Sequence, residues 1–496
     1  MDCNNIQIYD VKKCFDKLWY SETQNDLFEA GVDDDYFITI ANSNKECNVA
    51  VKTPWGVTTD RKVLREIEMQ GTVITSLKCS VQIDTLGKEC LNRGGNMFKY
   101  KECLPIPNLS FVDDILAIGK CGSDSVNLNA IIQSKMATKK LEMGHDKCFQ
   151  IHVGSNSSKL CPKLTIHGEE MKTASSEKYL GYIINNSGKI DESIQSRKNK
   201  GIGTVNSIIS MIEEISFGEH TFQIGLLFRN SMLINSMLCS SEVLYGITNA
   251  HIQTLEECDK SLFTQLFGVP ISCSYEAFFY ETGALPVRHI LMGRRLIYYW
   301  TLLNKSDDEL VKKVFNIQKK FPVRCDWVKQ IESDLLQLKI EQSESEIKCM
   351  KKEEFKKLVK EKLETMASNF LEDLKENHSK TEKLFEYKLQ NYLTSQNLSI
   401  EQKKLLFSLR TRSIHVKTNY RNKYKFNMIC SLCDDKTEEE SELHLLRCSS
   451  TVAEVGQIGD SKYEDIFSPD GTRQDKITEI FRKIFRIRNT LVNKLN

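Results

Sequence analysis

The stretch Leu109-Ser110-Phe111-Val112-Asp113-Asp114-Ile115-Leu116-Ala117-Ile118 sets two adjacent carboxylates inside an apolar run. Apolar residues on both sides of a short polar break predict two short strands, with Asp113 and Asp114 at the bend between them. Burying two like charges side by side is costly unless a cation is bound, because one carboxylate otherwise takes up a proton. Aspartate is also a common turn residue, so a surface turn capped by the pair explains the stretch as well. The pair alone leaves both readings open.

The chain upstream bears on the choice. Asn4-Asn5-Ile6-Gln7-Ile8-Tyr9-Asp10 alternates as a strand does and puts Asp10 on the face of Ile6 and Ile8. Residues Val11 to Trp19 follow with helical spacing. A carboxylate at the end of one strand and an Asp-Asp hairpin later in the same domain supply the ligands a two-metal phosphoryl-transfer site needs. Three carboxylates can hold two Mg²⁺ ions roughly 3.5–4 Å apart, one activating an attacking 3′-hydroxyl and the other steadying a leaving pyrophosphate.

Further segments come in a telling order. Asp10 with Phe15-Asp16, Met69-Gln70-Gly71-Thr72, Phe111-Val112-Asp113-Asp114, Gly144-His145-Asp146-Lys147-Cys148 and Lys178-Tyr179-Leu180-Gly181 follow one another along the chain. This succession resembles the ordered palm motifs of reverse transcriptases, in the form found in non-LTR (LINE-type) retrotransposons. The resemblance implies that Asp10, Asp113 and Asp114 are catalytic and hold Mg²⁺. It implies that Phe15 blocks a ribose 2′-hydroxyl and that Gln70 and Gly71 lie under the incoming nucleotide. Lys147 falls at the family's palm lysine, near the leaving pyrophosphate, and Tyr179, Leu180 and Gly181 at the hairpin that grips the primer end. The usual Gly-Pro or Ser-Pro after Gln-Gly is replaced here by Thr75-Ser76.

A chain of 496 residues with 40% hydrophobic and 27% charged residues is that of a globular protein of two or three domains. No apolar run approaches a membrane span and Met1-Asp2-Cys3-Asn4-Asn5 does not open a signal peptide. The 17 cysteines are mostly scattered without pairing rhythm, which suits a reduced intracellular compartment, nuclear and cytoplasmic. A net charge of +1 gives no global attraction to nucleic acid, so any basic footprint must be local.

From Asp191 to Leu303 the pattern turns helical, as a thumb domain would be. Glu281 to Arg288 interrupts it as a turn. Arg294-Arg295 beside Tyr298, Tyr299 and Trp300 reads either as a duplex-binding face or as an amphipathic core helix with exposed arginines. Residues 304–400 are rich in lysine and glutamate with a 3.6 period, the pattern of a solvated helical connector.

Near the C-terminus, Cys430, Cys433, His444 and Cys448 have knuckle-like spacing, a Cys-x-x-Cys turn followed by His and Cys one helical turn apart. Tetrahedral Zn²⁺ takes such a set. From Gln402 to Cys433 there are basic residues, among them Lys403, Arg410, Arg412, Lys417, Arg421, Lys423 and Lys425, and no acid, with Tyr420, Tyr424 and Phe426 interleaved. Asp434, Asp435, Glu438, Glu439, Glu440 and Glu442 then precede or flank His444. Zinc is therefore expected to be a structural staple, with Arg410, Arg412, Arg421 and Lys423 binding nucleic acid and the acidic loop repelling phosphate. Residues Ile477 to Leu495 read as a basic amphipathic helix that packs on this module or touches nucleic acid.

The expected fold is α+β: a polymerase palm with a small antiparallel sheet (1–190), a helical thumb (191–303), a helical connector (304–400), a basic flank with the zinc module (401–450) and a basic tail (451–496). The resemblance implies RNA-directed DNA synthesis with two Mg²⁺ and one Zn²⁺, and as partners an RNA template, a DNA primer or target and deoxynucleoside triphosphates, with no membrane. A catalytically inactive remnant that binds only RNA or DNA is one rival reading. Another enzyme of the same fold, such as an intron maturase or a telomerase catalytic subunit, is a second, and the thumb-to-zinc layout argues against it. Asp10 lies close behind Met1, whereas in the family a fingers region precedes that strand. The chain is accordingly expected to be N-terminally truncated, to polymerise poorly alone, and to belong with an upstream fingers segment and an endonuclease in a longer parent protein.

Overall fold

The computed structural model describes residues 4–43, 47–50, 52–57, 62–64, 75–93, 98–120, 122–154, 162–323, 326–377, 387–421, 423, 427–433, 437–456 and 460–495. The architecture is α+β, in two compact units: Met1–Ser193 with Lys313–Phe321, and Ile194–Lys312 with Pro322–Asn496.

The first unit is built on a five-stranded sheet. Its strands are β1 (Asn4–Asp10), β2 (Asn108–Phe111), β3 (Asp114–Gly119), β4 (Phe149–Val153) and β5 (Lys172–Thr173), in the order β5-β4-β1-β3-β2. The central strand β1 runs antiparallel to both β3 and β4, while β5 is parallel to β4. Alternation of side chains sends the two faces of β1 into two cores. On one, Ile8 meets Leu116 and Ile151, with Ile6, Ile118, Tyr179 and Ile184 packed around them. On the other, Tyr9, Ile115 and Ala117 meet two helices, α3 (Thr75–Arg93) and α4 (Gly122–Thr138). Three helices, α1 (Cys14–Lys17), α2 (Tyr20–Glu29) and a third over Asp34–Ser43, come between β1 and α3.

Periodicity explains how α3 and α4 cover the sheet. Cys79, Ile83, Leu86 and Cys90 recur at three- and four-residue steps on α3, as do Leu128, Ile131, Ile132 and Met136 on α4, and all eight are buried. Polar side chains of β1 on this face find partners too. Gln7 Nε2 donates to the Ser125 carbonyl at 3.0 Å, and the Tyr9 hydroxyl donates to Asn129 Oδ1 at 2.9 Å. A shift by one residue would bury these groups without partners, so they help to fix the register.

The second unit is helical over most of its described length. Its main core is aromatic and drawn from distant segments: Phe263 and Phe267 of α5 (Asn249–Phe267), Phe278 of α6 (Tyr275–Thr282), Phe407 of α9 (Ile400–Arg410), Leu445 of α10 (Glu442–Arg447) and Phe481 of α11 (Gly471–Leu495). The Phe267 and Phe407 rings lie 4.1 Å apart, centre to centre. Segments expected as thumb, zinc module and tail therefore share one core. The lysine- and glutamate-rich α8 (Lys352–Asn377) also has an inner face, burying Phe355, Val359, Leu363 and Ala367. It packs along α7 (Val287–Leu303), where Gly293 admits Leu363 so closely that an added Cβ would stand 2.8 Å from Leu363 Cδ1.

Arg294 and Arg295 lie on α7. Arg295 is buried and its Nε donates to Asp334 Oδ2 at 2.7 Å, while Arg294 Nη2 donates to Asn235 Oδ1 at 2.7 Å. The segment is a core helix as one of the two readings had it, but its arginines are not exposed: Arg295 is buried and Arg294 half-buried. Among the described residues no helix is long and apolar enough to cross a membrane.

Candidate active site and metal centre

Asp10 is the last residue of β1 and Asp114 the first of β3, and they are register partners across the antiparallel ladder. Register partners point to the same face, so the two carboxylates stand side by side on the face that carries Ile8 and Leu116. Asp113 sits with Val112 in the two-residue loop between β2 and β3, where Phe111 pairs with Asp114. Val112 has φ 56, a left-handed conformation that costs a β-branched residue roughly 1–2 kcal/mol. Strain held at a tight hairpin tip beside charged groups is a mark of functional sites. Sequence reading gave no signal for it, since valine is neither a turn former nor tolerant of positive φ.

The electrostatics follow from this crowding. Burial pushes the Asp114 carboxyl up, the charges of Asp113 and Asp10 add to the rise, and Lys147 opposes it. Lys147 is exposed, and its Nζ lies 3.4 Å from Asp10 Oδ2. The loop carrying Lys147 is tied to the strand end: Gly144 N–H donates to the Asp10 carbonyl at 2.8 Å, and a Cβ at Gly144 would come within 3.4 Å of Asp10 Oδ2. A glycine therefore gives the Asp10 side chain its room. Phe15 of α1 and Val112 both pack, half-buried, on the core beneath. Cys14 and Cys79 bury their thiols 3.1 Å apart in that core.

The segment containing Tyr179, Leu180 and Gly181 forms a hairpin of β6 (Ser176–Tyr179) and β7 (Tyr182–Asn185). Leu180 and Gly181 have φ of 47 and 82, the pair of positive angles that tight two-residue hairpin loops use. Leu180 is exposed at the tip. The Tyr179 hydroxyl donates to the Leu109 carbonyl at 3.2 Å, which brings this hairpin to the strand leading into the Asp113-Asp114 bend. Burial, then the Asp114 charge, push the Tyr179 phenol up to about 12. Asp10, Asp113, Asp114, Lys147 and Tyr179 are thus brought into one neighbourhood. Gln70 and Gly71 lie outside the described residues, while Thr75 and Ser76 open α3.

Among the described residues, the group of three or more candidate ligands whose atoms all lie within 4.8 Å of one another is Cys430, Cys433, His444 and Cys448. Cys430 Sγ and Cys448 Sγ are 4.0 Å apart, and Cys433 Sγ is 3.5 Å from His444 Nε2. A tetrahedron with metal–sulfur bonds of about 2.3 Å and metal–nitrogen bonds of about 2.0 Å has edges of roughly 3.8 and 3.5 Å, so this set can hold an ion such as zinc. The three aspartates form a looser set. Burial pushes the Cys430 thiol up to about 12, neighbouring Cys448 and Cys433 add to the rise, and backbone N–H groups of Leu432 and Cys433 oppose it. A bound cation would reverse that balance, because a metal takes the thiolate. The turn is clamped by Lys417, whose Nζ donates to the Ile429 carbonyl at 2.6 Å and to Ser431 Oγ at 2.8 Å. Ser441 Oγ caps α10 by accepting from His444 N–H at 3.1 Å.

The basic flank divides. Arg410 is 4% exposed: its guanidinium pairs with Glu281 at 2.9 Å and donates to the Ile466 carbonyl at 3.1 Å. The expectation that Arg410 binds nucleic acid is therefore wrong, because its donors are spent inside the fold. Lys403 and Lys417 are buried as well. Arg412 is half-buried with φ 48, Lys423 is exposed, and exposed Arg421 pairs with Glu439 at 3.0 Å. Tyr424, Lys425, Phe426, Asp434 and Asp435 lie outside the described residues. Helix α11 packs on the metal module, with Arg488 Nη2 donating to Glu440 Oε1 at 2.7 Å.

Together these define an α+β protein with a strand-end carboxylate set in one unit and a Cys/His cluster able to hold a metal in the other. No family model matches the chain, and neither does any curated protein. Solved structures that match include telomerases. The chain is 15% identical to telomerase from Candida tropicalis in complex with a TWJ fragment of telomeric RNA, over 67% of this chain and 49% of that one, with a TM-score of 0.32. Apo telomerase from Candida tropicalis matches at 12% identity over 67% and 54%, with a TM-score of 0.29. Telomerase from Candida albicans with the TWJ fragment matches at 14% identity over 53% and 47%, also at 0.29. The chain spans about half the length of these proteins, and superposition at that level establishes neither a shared fold nor a shared activity.

Proposed function

We propose that the chain is an RNA-directed DNA polymerase, a reverse transcriptase of the non-LTR retrotransposon type. The observation that carries this reading is the alignment of Asp10 and Asp114 as register partners on adjacent strands, with Asp113 in the strained loop between β2 and β3. Asp10, Asp113 and Asp114 would hold two Mg²⁺ ions, whose chemistry is to activate a primer 3′-hydroxyl and neutralise the leaving pyrophosphate. The oxygen donors suit a hard cation, and such a cation would offset the upward push on the Asp114 carboxyl, which comes first from burial and then from the Asp113 and Asp10 charges. Lys147, drawn toward Asp10 at 3.4 Å, would exchange that carboxylate for the outgoing phosphates. Phe15 would close the space of a ribose 2′-hydroxyl, and the hairpin of Tyr179, Leu180 and Gly181 would bear on the primer end. The Cys/His centre would take one Zn²⁺ as a structural staple.

Primer extension on an RNA template with Mg²⁺ and deoxynucleoside triphosphates tests this reading. Weak extension by the chain alone and its loss in Asp113→Asn are expected, and equal extension by both would sink the assignment. The looseness of the aspartate set beside the closed Cys/His set favours a second reading, a protein that binds RNA or DNA without catalysis. Nucleic-acid binding with no extension, even after a fingers segment is added, is the result that reading requires.

A further inference from the structure

A cavity of about 980 Å³ lies within the second unit, beside the metal centre. Its size is in the range of small-ligand sites. Arg412, Arg421 and Lys423 contribute cations to its wall, and Glu438 and Glu439 contribute carboxylates. Tyr420 adds an aromatic side chain. The lining Thr418 hydroxyl is closed off from solvent and has no hydrogen-bond partner among the described residues.

Arg412 occupies this wall at an energetic cost. It stands just beyond the end of α9 with φ 48, where glycine is the cheap residue. Opposed charges rule against a simple ligand, since a bare anion would be repelled by the glutamates and a bare cation by the arginines. The lining asks for a molecule with an anionic end and an end rich in hydrogen-bond donors. Nucleotides have that division, phosphate at one side and base edge at the other. Guanine suits a carboxylate best, because N1–H and the N2 amino group offer two parallel donors to its two oxygens. Uracil sets its single N3–H between two carbonyl oxygens that a carboxylate repels. The Arg421–Glu439 pair is exposed on both sides, 67% and 47%, so it parts readily for such a ligand.

We infer that this cavity binds a guanine nucleotide unit of single-stranded nucleic acid. Arg412 and Lys423 take the phosphates, Glu439 takes the N1–N2 edge, and Tyr420 offers a stacking face. This rests on the reading of the chain as a nucleic-acid-handling protein but not on its catalysis. It also changes the role of the acidic loop, from repelling phosphate to reading a base.

The test is fluorescence anisotropy of the full chain with all-uridine RNA 12-mers and the same oligomers carrying two adjacent guanines. About tenfold tighter binding of the guanine oligomer is expected. Glu439→Gln should remove that preference and leave uridine binding unchanged or tighter. Arg412→Ala and, separately, Lys423→Gln should weaken both oligomers alike and lower the salt slope by about one each. Equal affinities for the two oligomers, or a preference that survives Glu439→Gln, overturn the inference. Asp113→Asn should keep the guanine preference. No extension by the unsubstituted chain, with the preference present, therefore counts against polymerase activity alone, and extension without preference against this cavity alone.

Discussion

The Arg410 guanidinium is held between Glu281, the Ile466 carbonyl and Gln390, so its replacement leaves a carboxylate dry and unpaired. Arg410→Met is expected to cost about 3–5 kcal/mol in chemical denaturation while leaving the salt slope of RNA binding, measured on the folded fraction, unchanged. His289 offers a second residue-level test. It is 2% exposed, neither ring nitrogen has a partner among the described residues, and burial, aided by Arg288, pushes it down to about 4. The unfolded chain, with an ordinary histidine near 6.5, takes up the proton first. Stability is then complete above about pH 6.5 and falls as pH drops toward 4, by about 3 kcal/mol in all. His289→Leu should flatten that acid limb in denaturation midpoints taken across this pH range, and an unchanged limb would count against it. Sequence reading put Arg410 and Arg412 in one class, since a tally of charges cannot see Glu281 across the fold.

At the scale of elements, β1, β2 and β3 were legible because β1 alternates and the carboxylates break an apolar run close to a real loop, whereas β4 and β5 were not read as strands. Asp10 on the face of Ile6 and Ile8 follows from period two alone, while the bend falls one residue earlier than expected, at Val112-Asp113, with Asp114 opening β3. Helix α8 was less legible: surface lysines and glutamates outnumber the Phe355, Val359 and Leu363 stripe that binds it to α7. Another contact left no trace in the pattern. Gly283 ends α6 with φ 65, and a Cβ there would stand 2.9 Å from Leu389 N. Gly283→Ala combines a left-handed penalty with a backbone clash and should cost roughly 2–4 kcal/mol. Thermal or urea unfolding measures it, and a loss under about 1 kcal/mol would mean the Leu389 segment moves aside freely.

For the molecule as a whole, the aromatic core of the second unit joins the metal module to helices far away in sequence. An ion held there would therefore brace more than its own knuckle. Removing zinc by chelation, or by Cys430→Ser with Cys448→Ser, should cost protection against hydrogen exchange in 400–410 and 471–495 as well as 442–447. Peptides over β1 and β3 should keep theirs. Loss confined to 427–448 would show that the shared core stands without the metal.

The same burial sorts the thiols by reaction rate. Cys103, Cys239 and Cys349 are exposed, whereas Cys90 and Cys148 in the first unit and Cys258 in the second are buried with thiols pushed up to about 11. A buried protonated thiol meets an alkylating reagent only when its surroundings open. Mass-resolved alkylation of the unmodified chain thus becomes a pair of clocks. One would time the opening of the sheet core and the other the opening of the helical unit, in a single sample and with no label added.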